Sequence, residues 1–508
     1  MVRTFDLARA HSERELRQYG LSSRDVEYNQ LLLSFLHYPY KDLRADPNTL
    51  ATNTKGQSGL WAYAISGDYP ILLVKIKNLE ELALVREVLL AHAYWREKEI
   101  KVDLVIVNQR ETGYDQELQA QLLQLIKRVK ADTWLDRRGG IFLLRADQMR
   151  EDNRVLLETA ARVILDGRKG SLPEQLDQLR PYPARLPHFV PTLPGPEDVE
   201  PTPPLIRPTD LLFDNSIGGF SPDGREYVIW LEPGQWSPAP WVNVISNPNF
   251  GFLVSESSLG FTWCENSGEN RLTPWRNDPV SDDPAEALYL RDEETGQIWS
   301  PTPSPAGTSA PYLIRHGAGY SVFEHHSHGL KQQLRIFTPQ DAPIKVIGLR
   351  LENMWHRHRR ITATYYAEWV LGTDRDETQQ YIVLEFNPET QTLLARNPYN
   401  ADFGERVAFL TTIEEPHGLT ADRAEFLGRM GSLQRPVALA RVGLAGTVES
   451  GLDPCAAIQL HVELDAGEGK EVFFLLGEER DHQAVLKLVK QYQDPAHIEA
   501  AWQGLQEL

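Results

Sequence analysis

Apolar positions follow two different rhythms along the chain. ILLVKI (Ile71 to Ile76), VDLVIV (Val102 to Val107) and IFLL (Ile141 to Leu144) are short β-branched or aliphatic runs. Each is followed by a longer stretch with helical spacing: Leu79 to Trp95, with Leu82, Val85, Leu89 and Ala93 on one face, then Leu118 to Val129, then Val155 to Leu165. Strand runs alternating with amphipathic helices predict a small layer of parallel βα units. Residues 4–38 read as a helical entry hairpin. From Asn215 to about Leu476 the rhythm becomes short aromatic and β-branched segments separated by Gly, Pro, Asn and Asp. They are YVIWL, GFLVSES, ALYLRD, VIGLRLEN, ITATYYAEWVL, YIVLEF, VALARVGL, AIQLHVEL and EVFFLL. So many turn-bounded strands predict a large antiparallel architecture of two sheets packed face to face. The tail from Asp481, with Val485, Leu488, Val489 and Tyr492, reads as one or two helices.

Between the two textures, eleven of the forty residues from Ser171 to Asp210 are proline. That density forbids continuous helix and favours an extended connector. The expected organisation is therefore 1–170 as helical hairpin plus α/β domain, 171–210 as linker, 211–480 as β-sandwich and 481–508 as helical tail. The fold class is multidomain α+β. The net charge of −19 is concentrated in the back: residues 1–170 carry 26 Lys and Arg against 24 Asp and Glu, leaving 26 against 47 for the rest. An acidic surface repels phosphate backbones and anionic lipid heads, so nucleic acid and membrane surfaces are not expected partners. No run reaches the 18 or more uncharged apolar residues of a membrane helix, and the opening MVRTFDLARAHSERELR is charged where a signal peptide is apolar. A cytoplasmic protein is the expectation. Two cysteines, Cys264 and Cys455, make neither a disulfide framework nor a four-cysteine zinc site.

The segment Ser246 to Pro303 is densest in candidate chemistry. It mixes Phe250, Phe252, Trp263, Trp275 and Trp299 with Asn247, Asn249, Asn266, Asn270, Arg271 and Asp278. Aromatic faces beside planar hydrogen-bonding groups suit sugars, whose C–H faces stack on rings while hydroxyls take polar partners. Read singly, the same residues are strand-core aromatics and turn-forming amides. FEHHSHG places His326 and His328 on one face of a strand and His325 on the other, with no second cluster to complete a metal set, so no metal is expected. Gly56, Gly59 and Gly67 precede the strand at Ile71 instead of joining its end to a helix, unlike a nucleotide-phosphate loop. MWHRHRRI (Met354 to Ile361) reads as a solvated basic turn.

Together with RHGAGYSVFEHHSHG (Arg315 to Gly329) and YYAEWVLG (Tyr365 to Gly372), the Ser246 to Pro303 segment resembles the N-terminal β-supersandwich of glycoside hydrolase family 94, formerly glycosyltransferase family 36. That family contains cellobiose, chitobiose and β-1,2-oligoglucan phosphorylases. GQSGLWAYAISGDYPILLVKI and REVLLAHAYWREKEIKVDLVIVNQ (from Gly56 and from Arg86) resemble the part of cyclic β-1,2-glucan synthase that precedes its C-terminal phosphorylase-like region. The resemblance covers nearly the whole chain. It implies a carbohydrate-associated supersandwich and a β-gluco-oligosaccharide ligand. In the family an Asp on a following (α/α)6 barrel is the general acid and inorganic phosphate the nucleophile. This chain stops at IEAAWQGLQEL, about where that barrel begins, so the barrel is expected to be absent, no residue inherits the acid's role, and phosphate is a co-substrate only with an active barrel. The resemblance further implies a separately encoded barrel subunit, and a homodimer formed through the sandwich. A loop after the EW-containing strand lines the acceptor side in the phosphorylases, which places Arg375, Gln379 and Gln380 beside Asn270, Arg271 and Trp275 as expected sugar contacts.

Three functions remain in competition at this level. The chain is a module that binds or positions β-glucans, a complete phosphorylase or hydrolase, or a structural remnant of a truncated synthase. A complete enzyme would draw its carboxylates from Glu256, Glu269, Asp278, Asp282, Glu324 and Glu368. Hydrolysis needs two of them at a fixed separation and one with a raised pKa.

Overall fold

A computed structural model describes residues 10–507 apart from 11, 12, 15, 111–114, 180–185 and 193–200. The chain divides into two compact units, one of residues 1–183 with Pro398–Asp402, the other of residues 184–397 and 403–508.

The first unit is built on a four-stranded parallel sheet of β1 (Ile71–Ile76), β2 (Asp103–Asn108), β3 (Ile141–Arg145) and β4 (Ala161–Asp166), in the order β3-β2-β1-β4. A parallel sheet covered on both faces demands apolar side chains on both, which is why β1 and β2 read as unbroken runs. Helix Leu82–Glu97 buries Val85, Val88, Leu89 and Trp95 against it. Helix Ser23–His37 starts at a capping box in which the Asp25 backbone N–H donates to Ser22 Oγ and the Ser22 N–H donates to Asp25 Oδ2 at 2.7 Å. Of the expected 4–38 hairpin, this helix is the continuous part, and residues 4–9 lie outside the described residues.

Two expectations change here. The stretch Val155 to Leu165 is not one helix. Helix Glu151–Ala160 ends where Ala161 turns extended, at φ −67° and ψ 124°, and ARVILD becomes β4 with Ala161, Val163 and Leu165 buried. The alternation of Arg162 and Asp166 with those residues carries the strand signal, while TAARVIL also satisfies a helical stripe. The proline-rich stretch also holds more structure than a connector. Leu172–Asp177 is a helix, with Pro173 near its start, whose Leu172 and Leu176 enter the first core. Further on, Phe189 and Val442 N–H groups donate to Ala440 O and Pro187 O, and Leu205 and Leu211 pack against Val228, Trp230 and Leu313. The described residues 186–192 and 201–211 thus pack along the sandwich.

The second unit is a supersandwich of an eight-stranded and a ten-stranded antiparallel sheet. In the former, Phe250–Val254, Leu259–Cys264, Glu286–Asp292, Arg359–Glu368 and Pro454–Leu464 are neighbours in that spatial order. In the latter, Tyr320–Ser327, Leu330–Phe337, Ile344–Asn353 and Gly469–Glu479 form the centre. Inward-facing residues of both sheets, among them Phe252, Leu288, Tyr365, Leu334, Leu349 and Phe474, share one core. Helices His482–Tyr492 and Pro495–Gln506 cover the outer face of the ten-stranded sheet through Val485, Val489, Ile498, Trp502 and Leu505. VALARVGL is not a strand. After Pro436, Val437–Ala440 forms a 3-10 turn that drives Ala438 and Leu439 onto Tyr289 and Tyr366, covering the outer face of the eight-stranded sheet. Among the described residues no helix is long and apolar enough to cross a membrane.

Between the sheets lies a fully buried ion pair. Lys345 Nζ, on the ten-stranded sheet, donates to Glu286 Oε2 on the facing sheet at 2.8 Å, and both side chains have no exposed surface. Tyr365 Oη donates to the same carboxylate, and Thr262 and Thr273 hydroxyls donate to Glu286 Oε1 at 2.5 and 3.0 Å. Burial pulls the Lys345 ammonium below its usual range, and the adjacent carboxylate opposes that.

Candidate functional site

The Ser246 to Pro303 segment separates into core and surface. Phe250, Phe252 and Trp299 are buried in the sandwich and present no face to a ligand. The asparagines are staples. Asn247 Nδ2 donates to Pro339 O and Ala342 O, both at 2.8 Å, and Asn266 Oδ1 accepts from the Gly268 and Glu269 N–H groups. Asn270, 1% exposed, donates from Nδ2 to Cys264 O at 3.0 Å and Glu478 Oε2 at 2.7 Å. Its geometry fixes the loop and leaves it no surface for a sugar.

What remains is an aromatic stack built on buried Phe261, with Trp275 as its exposed member. Trp263 packs against Phe261 at 5.0 Å, and its seat requires Gly251, where a Cβ would lie 2.4 Å from the Trp263 ring. Trp275 lies flat on Phe261, centroids 4.9 Å apart and planes 10° from parallel, and keeps 42% of its surface exposed. Arg271 holds the other flank, its guanidinium 5.8 Å from the Trp275 ring centre and bonded to Ser267 O and Thr373 O at 3.1 Å each. Arg271 therefore joins this segment to the loop after the EW-containing strand, as does its backbone pairing with Gly372.

Trp275 and Phe261 form one wall of a cleft of about 250 Å³, with Val242, Arg276, Asp278 and Asp282 also lining it. The Asp282 carboxylate is fixed by Ser255 and Ser257, whose hydroxyls donate to Oδ2 at 2.7 Å each. Asp278 accepts from the Val280 N–H at 2.9 Å and from Ser281, and these bonds hold its carboxyl below the usual range. A ring face beside oriented carboxylates and a guanidinium can stack a pyranose and bond its hydroxyls. Sequence reasoning missed Phe261, Arg276 and Val242 here. The compact run PWRNDPVSDDP, with Trp275 and three carboxylates within ten residues, was the available signal.

The other expected contacts lie apart from the cleft wall. Arg375 Nε meets Glu368 Oε1 at 2.6 Å, and its Nη2 pairs with Asp453. Arg423 Nε closes the network on Glu368 Oε2 at 3.1 Å. Glu368 is thus a structural carboxylate between two guanidinium groups. Gln380 is buried and Gln379 half-buried in a 3-10 turn. Glu269 is exposed, while Glu256 and Glu324 are committed. Glu256, raised by burial, accepts from Ser237 Oγ and from the Trp241 N–H at 2.6 Å, and Glu324 pairs with Arg315.

The histidines of FEHHSHG serve packing. His325 stacks on Tyr312 at 3.9 Å and bonds Thr308 Oγ1 and Pro311 O, while His328 stacks on Trp299 at 4.0 Å. Among the described residues no three His, Cys, Asp or Glu side chains gather as a metal needs. The basic MWHRHRRI is neutralised locally: Arg359 pairs with buried Asp292, and His358 and Arg360 with Glu463. Burial pushes His325 and His328 down to about 4 from 6.5. The unfolded chain binds their protons first, so the stability they contribute is complete above about pH 6.5 and is lost as pH falls toward 4. The expected result is a steep drop in the sandwich's melting temperature between pH 6.5 and 4, shallower in His325→Gln. An identical drop in that variant refutes the assignment to His325.

Residues 225–495 match the family model described as glycosyl hydrolase 94, supersandwich domain. The chain is 35% identical over 481 residues to the cyclic beta-(1,2)-glucan synthase NdvB of Rhizobium meliloti (strain 1021), covering 92% of this chain and 17% of that protein. It is 28% identical over 297 residues to N,N'-diacetylchitobiose phosphorylase of Vibrio furnissii, covering 57% of this chain and 36% of that enzyme. It thus spans well under half the length of these curated relatives. Among solved structures, a bacterial glucoamylase complexed with acarbose aligns at 8% identity and a TM-score of 0.30, over 55% of this chain and 40% of that one.

Proposed function

This chain belongs to glycoside hydrolase family 94, and from that premise we propose that its sandwich unit binds and positions β-glucan chains for an (α/α)6 barrel outside these 508 residues. The observation that carries the reading is the cleft in which Trp275 lies flat on Phe261 above Asp278 and Asp282. The ligand class follows the relatives, a cyclic beta-(1,2)-glucan synthase and an N,N'-diacetylchitobiose phosphorylase. The sandwich supplies orientation, and the barrel supplies the proton donor and the phosphate site. Support for that division comes from Glu256, Glu324 and Glu368, each already tied to donors within the sandwich, and from Asp278, whose carboxyl its own hydrogen bonds hold below the usual range, the opposite of what a general acid needs.

Calorimetry with β-1,2-gluco-oligosaccharides is expected to show binding to the purified chain and about a tenfold loss in Trp275→Ala, the worth of one stacked ring at about 1.4 kcal/mol. Incubated with phosphate, the same chain is expected to release no glucose 1-phosphate. Release would make it a complete phosphorylase, and an unchanged affinity in Trp275→Ala would remove the cleft from the site.

A further inference from the structure

A second cleft, of about 550 Å³, adjoins the first. It opens beside Asn243–Ser246, the last strand of the eight-stranded sheet, and Gly218–Phe220, the last strand of the ten-stranded sheet. Phe220, Tyr227 and Trp241 line it as an edge-to-face series, with centroids 5.1 and 5.8 Å apart. Polar groups interleave with the rings. Glu226 accepts from Tyr320 Oη at 2.7 Å, Asn243 Nδ2 is committed to Gly317 O and Tyr320 O, and His316 Nδ1 bonds Ser321 Oγ at 2.8 Å. Burial pushes His316 down to about 4, so its imidazole is neutral at pH 7.

Val242, 52% exposed, lines both clefts. The wall it stands on is pinned from below by Glu256, whose carboxylate takes the N–H of Trp241. The two concavities therefore keep a fixed relation, each with an aromatic lining and polar groups, and meet at one small apolar side chain. We propose that they are two halves of one track, which takes a β-linked gluco-oligosaccharide across Val242 and is not a pocket for a single sugar. The proposal rests on the carbohydrate reading of the Trp275 cleft. A purely apolar patch would suit a protein partner instead, but here the carboxylates of Glu226, Asp278 and Asp282 stand among the rings, as a chain of hydroxylated rings requires.

The test uses the full chain labelled with 5-fluorotryptophan and followed by fluorine NMR, with Trp241→Phe and Trp275→Phe to assign the two resonances. The probes are sophorose and the β-1,2-linked hexasaccharide. The Trp275 resonance is expected to move with both probes and the Trp241 resonance only with the hexasaccharide, which binds about tenfold more tightly because its second contact is intramolecular. Phe220→Ala, at an exposed ring that lines the second cleft alone, is expected to erase most of that tenfold gain and leave sophorose binding unchanged. A moving Trp275 with a silent Trp241, or equal affinities for the two probes, overturns the track while the carbohydrate reading stands. If neither resonance moves, both are overturned.

Discussion

Replacing Lys345 with methionine is expected to lower the unfolding free energy by about 3 to 5 kcal/mol, the cost of leaving a buried carboxylate without its cation. Among the described residues the Lys345 ammonium is the cation that pairs with Glu286, whose other ligands are the hydroxyls of Tyr365, Thr262 and Thr273. Those donors ease the burden without cancelling a full charge in a medium that solvates ions poorly. Adding Glu286→Gln removes the stranded charge and keeps an acceptor for the threonines, so the double variant is expected to recover at least half of the loss. Urea unfolding at constant m-value reads both numbers. A single-variant loss below about 1 kcal/mol would show that the pair does not clamp the sheets.

The second large effect concerns Arg375. With a side chain only 16% exposed, it links Glu368 to Asp453, and Arg423 alone would remain to balance both carboxylates. Arg375→Ala is therefore expected to cost roughly 3 kcal/mol of stability. Arg375→Lys keeps the charge but loses the two-armed fork, and should fall between the wild type and alanine. If Arg375→Ala weakens oligosaccharide binding with no change in unfolding midpoint, the residue is a sugar contact and the network is incidental.

These two sites mark what the sequence makes legible. Strands such as ILLVKI and YVIWL announce themselves because burial on one or both faces leaves a period that a single chain displays. The break at Ala160 and Ala161 does not, because the residues on either side satisfy helix and strand alike. The surface aromatics were legible as a group only. Phe250 and Trp275 occur in the same segment, and nothing local distinguishes a ring sealed between sheets from one laid on Phe261. The carboxylates were harder still. Glu368 and Arg423, or Asp282 and Ser255, meet at sequence separations of 55 and 27, so their pairing is a property of sheet order.

The helices that close the chain carry a practical consequence for excised fragments. The family boundary falls at residue 495, yet Ile498, Trp502 and Leu505 roof the outer face of the ten-stranded sheet, and at the other end Leu205 and Leu211 shield Val228 and Trp230. A piece trimmed to the homology limits would bare two greasy surfaces to water and invite self-association. The packed unit is wider than the homology match at both ends.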